Sequence, residues 1–321
     1  MDYIRNIQSS QIMKYYPVDS ALICFASFEE RCYTLAQKID SAMVIKAYVL
    51  RNKDSPMKLN NELNTSIIRQ KLEKMVIEEI SLNYPISIVE KLFSIIKDIR
   101  DNGIKKLSVD ITTFTHEALL MLLNVLFSNR SNFESITLFY NGASEYSSWL
   151  SKGCKEIRNV IGYPGLFNPS YKNHMIILTG FEQERATRLV ELFEPDILSI
   201  GCGSDPTDEN HLNIMKDMKD KFNKWLDNLG NIHSNSFDFS CSNIKDTMTI
   251  LSDIISREEN KNYILIPLNT KLSTISVALT ALKNKKIQVI YPVPETYNLS
   301  YSKPGDSFTI INLTKIMELY N

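Results

Sequence analysis

Short apolar runs alternate with longer stretches of helical apolar spacing along most of this chain. A short run bounded by polar turns predicts a buried strand, and spacing of three and four predicts an amphipathic helix. In the first half the strands are predicted at 21–26 (ALICFA), 43–50 (MVIKAYVL), 107–111 (LSVDI) and 135–140 (SITLFY). Helical spacing covers 32–39, 67–81, 87–102 and the stretch from His116 onward, with Asn102-Gly103 as a stop signal. Residues 1–19 read as a polar lead-in, 54–63 as a loop and 141–146 as a polar segment. Strands alternating with helices predict a parallel α/β sheet.

Residues 152–173 change character, because Gly162, Pro164, Gly165 and Pro169 mark a connector. The alternation then resumes. Strands are predicted at 175–179, 195–201, 237–241, 262–267 and 286–291, with helices through Phe193 and over 211–229, 245–256 and 275–282. The second half also answers the first at loop positions. SFEER at 27–31 corresponds to GFEQER at 180–185, and the turn TTFT at 112–115 to NTKLST at 269–274. Phe28 and Phe181 lie 153 residues apart, Thr112 and Thr270 158, and Tyr140 and Tyr291 151. Glu145-Tyr146 is answered by Glu295 and Tyr297. Element order alone recurs in any two α/β domains, but strand propensity does not select loop residues. The chain therefore reads as two tandem Rossmann-like domains with mostly parallel sheets, related by internal duplication. The expected boundaries are 1–151, a connector at 152–173, and 174–321.

Composition narrows the class. The 321 residues are 44 % hydrophobic and 23 % charged, ordinary for a globular chain. With 36 basic and 37 acidic residues the net charge is −1, which disfavours duplex nucleic acid as a partner. Five cysteines at wide spacing, with no CxxC, fit a reducing compartment. The N-terminal stretch lacks a signal-peptide core and no apolar run approaches a membrane span, so a cytoplasmic protein without membrane contact is expected.

Candidate chemistry follows from the fold, since open α/β sheets bind ligands outside the carboxyl ends of their strands. Those ends gather Ser27, Glu29 and Arg31 with Asp110, Thr112, Thr113 and Thr115 in the first half. In the second they gather Glu182 and Arg185 with Asn269, Thr270 and Lys271. Hydroxyls and backbone N–H groups at helix starts suit a phosphate or another anion, and arginines pair with phosphate. The same Ser and Thr residues equally serve as plain helix caps. The first half is the better equipped, because Leu268 stands where the first copy has Asp110. No GxGxxG or Walker A sequence follows any strand, so no dinucleotide or nucleoside-triphosphatase cofactor site is assigned. The four histidines are too widely spaced to suggest a metal, and Asp205, Asp208, Glu209 and His211 read as a lining or solvated loop.

The strand–turn–helix VDITTFTHEALLMLL resembles the ligand-sensing CARF-type domains of prokaryotic antiviral systems. There an acidic or Asn residue ends the strand and a Thr/Gly/Lys-rich turn contacts a cyclic oligonucleotide, which would match Asp110, Thr112 and Thr113. The family's Gly-Gly is absent, and Phe114 and Thr115 replace its small or Lys residues. The resemblance implies an antiviral-defence setting and either a separate effector partner or a homodimer. Three readings stand at this point. The first is a sensor of a nucleotide or other phosphorylated small molecule, binding at the carboxyl edges of the two sheets. The second is a hydrolase of a nucleotide or glycosidic bond with Glu29 or Asp110 as acid/base. The third is a structural subunit of a defence complex.

Overall fold

The computed structural model describes residues 3–319 apart from 182, 206–208, 231, 258, 259 and 301. The chain forms two compact units, Met1–Ser148 with Leu299–Asn321 and Trp149–Asn298. In the first, β1 (Ile4–Gln8), α1 (Ile12–Tyr15), β2 (Ser20–Ala26), α2 (Thr34–Lys38), β3 (Val44–Asn52) and α3 (Lys58–Lys71) follow in order. Then come β4 (Met75–Ile80), α4 (Pro85–Asp101), β5 (Lys106–Asp110), α5 (His116–Ser128) and β6 (Ser135–Tyr146). The second unit holds β7 (Ser151–Lys152), β8 (Glu156–Pro164), β9 (Lys172–Leu178), α6 (Gln183–Phe193), β10 (Ile197–Gly203) and α7 (Glu209–Leu226). It continues with β11 (His233–Phe239), α8 (Ile244–Ser256), β12 (Lys261–Pro267), α9 (Lys271–Lys283), β13 (Gln288–Val293) and β14 (Thr296–Tyr297). β15 (Ser302–Asn312) and α10 (Leu313–Leu319) return to the first unit.

Among the described residues the first sheet runs β1-β15-β6-β5-β2-β3-β4 and the second β11-β10-β9-β12-β13-β8. β2 through β6 pair in parallel, as do β9 through β13. Read from its outer strand, each unit has the same order: third, second, first, fourth and fifth strand, then an antiparallel neighbour. These are two Rossmann-like α/β domains from one duplicated plan. Helices cover the faces of the sheets, so the central strands are buried along their length, as the unbroken apolar run of β2 requires. The periodicity of α4 delivers Ile88, Leu92, Ile95, Ile96 and Ile99 to the core, each at most 2 % exposed.

The boundaries differ from the expectation for one reason, an exchange of strands. Beyond β6 and the two-residue β7 comes β8, which pairs with β13 of the second unit. Beyond β13 and the two-residue β14 comes β15, which pairs with β6 of the first. Each repeat thus hands its antiparallel strand to the other unit. Residues 299–321 belong to the first unit, and the expected connector contains β8 and the start of β9. Both exchanged strands are interrupted by Gly or Pro and carry bulges, which hid their periodicity. Other corrections lie at sheet edges. The lead-in contains β1, antiparallel to β15, and β6 runs on through the expected polar segment to Tyr146. The expected loop at 54–63 and helix at 67–81 become α3 and the edge strand β4, whose half-exposed MVIEEI lacks clean alternation. In place of a helix at 32–39 there is a 3-10 turn over Glu30–Tyr33 followed by α2.

Candidate functional site

Strand order reverses between β2 and β5 in the first unit and between β9 and β12 in the second. The loops leaving these strands are the ones singled out from sequence, and they lie where open α/β sheets form their ligand crevice.

In the first unit the polar groups at this edge are hydrogen-bonded to one another. Ser27 Oγ accepts the Glu29 N–H at 3.1 Å. Asn64 on α3 donates from Nδ2 to the carbonyls of Ser27 at 2.9 Å and Glu29 at 3.3 Å. Glu29 Oε2 accepts from Arg31 Nη2 and Ser302 Oγ, both at 2.7 Å, and from Arg31 Nε at 3.1 Å. Arg31 Nη1 donates to the Asn141 carbonyl at 3.1 Å. Burial works to lower the Arg31 pKa, but the charge of Glu29 carries it above the ordinary value, so the guanidinium stays charged.

The turn after β5 completes this set of hydrogen bonds. Asp110 Oδ1 accepts from Thr112 N at 3.0 Å and Thr112 Oγ1 at 2.5 Å, and Thr112 Oγ1 accepts the Asn141 N–H at 2.9 Å. Thr113 Oγ1 donates to the Phe25 carbonyl at 2.6 Å, and Phe114 packs edge-on against Phe25 at 5.4 Å. Thr115 caps α5 by accepting the Ala118 N–H. Burial pushes the Asp110 carboxyl up to about 6, against the bonds from Thr112 and the charge of Arg31. Asp110 and Glu29 are joined through Thr112, Asn141 and Arg31. Asn141, which sequence reading left in a polar segment, is the hub: fully buried, it also donates from Nδ2 to the carbonyls of Gly305 and Ser307, both at 2.8 Å. The network therefore fastens the exchanged strand β15 at its bulge.

The second unit keeps some of these ties and leaves its turn more open. Arg185 Nη1 donates to the Pro292 carbonyl at 3.2 Å, as Arg31 does to Asn141, each acceptor following the Tyr of the fifth strand. Asn269 Nδ2 donates to the Thr179 carbonyl at 2.6 Å. Thr270 caps α9 through Ser273 N and donates to the Cys241 carbonyl at 2.8 Å. As a cap Thr270 answers Thr115, not Thr112, and the strand register places Ile266 rather than Leu268 opposite Asp110. Gly180 is held to its residue type by space, since a Cβ there would lie 2.3 Å from the Leu268 carbonyl oxygen. Asp205 accepts from Ser240 Oγ at 2.5 Å, and also from Cys241 N and Ser242 Oγ. In the first unit Asp54 accepts from Ser81 in the same place. Asn269, Thr270 and Lys271 are all partly exposed, whereas Thr112 and Thr113 are buried. Glu182 and Asp208 lie outside the described residues. Among the described residues no group of three His, Cys, Asp or Glu side chains is placed to hold a metal ion. Also among them, no helix is long and apolar enough to cross a membrane.

Ties present in both repeats serve what the repeats share, which is the fold. This separates Arg31, Arg185, Thr115, Thr270, Asp54 and Asp205 from residues peculiar to one copy, such as Asp110 and Lys271. The Asp–Ser brace could have been found in the sequence, since Asp54 and Asp205 are 151 residues apart, close to the other offsets.

The chain matches no protein-family model and no curated protein. Among solved structures it is similar to leucoanthocyanidin reductase from Vitis vinifera, solved as a binary complex with NADPH. The identity is 9 % and the TM-score 0.28, with 94 % of this chain and 99 % of that one covered. It is also similar to an ABC-transporter solute-binding protein from Burkholderia graminis in complex with D-arabinose. There the identity is 10 % and the TM-score 0.25, with coverage of 85 % and 76 %. At these scores neither likeness bears on what this chain binds.

Proposed function

We propose that this protein is a nucleotide-recognising sensor or accessory protein that binds its ligand at the carboxyl edges of its two sheets. The observation that carries this reading is the strand order. In both units it reverses between the two strands whose loops hold the Thr-turn and the Phe-Glu-Arg loop, the position at which such sheets bind ligands. In the second unit the partly exposed Asn269, Thr270 and Lys271 lead into α9, and the start of a helix is a place where a phosphate binds. The first-unit carboxylates favour recognition over hydrolysis. Glu29 is engaged by three donor atoms, and Asp110 is 3 % exposed and tied into its own turn. Arg31 and Arg185 then support the crevice from within. A place in an antiviral system beside a separate effector, as the CARF-type resemblance implies, belongs to the same proposal.

The test is calorimetric titration of the full chain with ribonucleotides and cyclic oligonucleotides. Saturable binding is expected, weakened about tenfold by Lys271→Ala, the scale of one charge-assisted hydrogen bond. Absence of binding across that panel would refute the reading.

A further inference from the structure

The first half of helix α3 turns polar side chains inward, ahead of the core residue Ile68. Its inward face carries Asn61, Asn64 and Thr65, at 3 %, 5 % and 3 % exposure, while Leu59 and Leu63 stand 81 % and 61 % exposed. Two of the three inward polar groups are accounted for. Asn64 bonds the loop after β2, and Thr65 Oγ1 donates to the Asn61 carbonyl at 2.5 Å. Asn61 is different, because its Oδ1 is buried and has no hydrogen-bond partner. Buried polar atoms are nearly always paired, with protein or with water, so one that the chain itself leaves unpaired can take a partner from outside it.

Its position indicates which partner. Asn61 lies one turn before Asn64, which bonds the 27–30 loop, on the same face of α3. Its Cβ leans towards the helix start, where Met57 supplies no side-chain cap. β3, the second strand of the order, runs into this helix, and in open α/β sheets the ribose of a bound nucleotide is held just beyond the second strand. An unpaired carbonyl oxygen needs a donor. A cationic donor would also need a carboxylate, and Glu29 in the neighbouring loop is already engaged by Arg31 and Ser302. A neutral hydroxyl meets the need without a charge. We propose that Asn61 Oδ1 is the acceptor for a sugar hydroxyl of a ribonucleotide bound at the carboxyl edge of the first sheet. The segment joining β3 to α3 lies at the start of this helix, and its Lys53, Asp54 and Pro56 are exposed.

This assignment rests on the nucleotide-recognising reading above, and the experiment separates the two. The four ribonucleoside triphosphates and their 2′,3′-dideoxy counterparts are titrated calorimetrically into the full chain and into Asn61→Leu and Asn61→Asp variants. At least one ribonucleotide should bind, with its dideoxy counterpart at least about tenfold weaker, because a site built for a hydroxyl is left unpaired without it. Asn61→Leu should abolish that preference and Asn61→Asp, which keeps an acceptor, should retain it. Asn61→Ala replaces the leucine variant if circular dichroism shows the latter unfolded. Equal binding of the dideoxy form to the wild-type chain, or an undiminished preference in the variant lacking the acceptor, overturns the assignment and leaves the function standing. If none of the triphosphates binds, the assignment falls, and titration with cyclic oligonucleotides then decides the function.

Discussion

At the scale of single residues the chemistry of the first unit is dominated by one carboxyl. Asp110 has its pKa raised from 3.8 to about 6, with burial the largest cause. A raised acid pKa means that the native state holds its proton more tightly than the unfolded chain does. The associated stability is present in full below the unfolded value and is lost as pH rises from about 4 to about 6. The loss is on the order of 3 kcal/mol, at ~1.4 kcal/mol for each pH unit between the two values. Asp110→Asn keeps an oxygen for Thr112 and never ionises. It should raise the thermal midpoint at pH 7.5 and leave it almost unchanged at pH 4. A variant that follows the wild-type pH profile would show that the burial of Asp110 carries no such penalty. Arg31 is the opposite case, a charge whose partners are in place. Arg31→Met strands the Glu29 carboxylate, itself largely buried, and removes the donor to Asn141. A loss of about 3–5 kcal/mol is expected in urea unfolding, the usual result of removing one member of a buried pair.

At the scale of elements the question is what holds an exchanged strand in place. β15 lies between β1 and β6, and its pairing with β6 is interrupted between Pro304 and Phe308 while Ser307 and Phe308 stay paired with β1. Asn141 supplies two bonds there and Ser302 ties the strand's start to Glu29. Asn141→Ala leaves both carbonyls without that amide, at a cost of about 2–3 kcal/mol. Hydrogen exchange should accelerate at 305–308 before it does in the central strands, and uniform acceleration would place the role of Asn141 elsewhere. In the second unit the approach of two loops at Gly180 makes a simpler case. Gly180→Ala drives a methyl group into the Leu268 carbonyl, and a loss of about 1–3 kcal/mol should follow from the forced backbone shift.

At the scale of the whole molecule, two units do not mean two independent folding events. The antiparallel strand of each unit follows the fifth strand of the other repeat, so neither sheet is complete until both stretches of chain are in place. Hydrogen exchange along a urea titration should therefore report one midpoint in both units. Two separated midpoints would mean that each five-stranded parallel core is stable without its exchanged neighbour.

Much of this was legible in the residues. Apolar runs located the central strands, because a strand buried on both faces admits little else, and the loop coincidences at 27–31 and 180–185 exposed the duplication. The same pattern led to the loops of the crevice. Edge and exchanged strands were not legible, since half-exposed segments with Gly and Pro carry no clean period, and pairing across more than a hundred residues leaves no local trace. Nor were the partners of the polar residues. Arg31, Asp110 and the threonines could be named as a group near one strand end, but whether they faced a ligand or one another depended on Asn141 and Ser302, which only the folded sheet brings to them. Sequence by itself determined the alternation, the repeat and the place to look. Tertiary structure alone decided the exchange of strands, the mutual hydrogen bonding of the polar groups at the first-unit edge, and the side-chain acceptor on α3 left without a partner. Burial and hydrogen-bond satisfaction are properties of three-dimensional neighbours, and a residue's type does not name its neighbours.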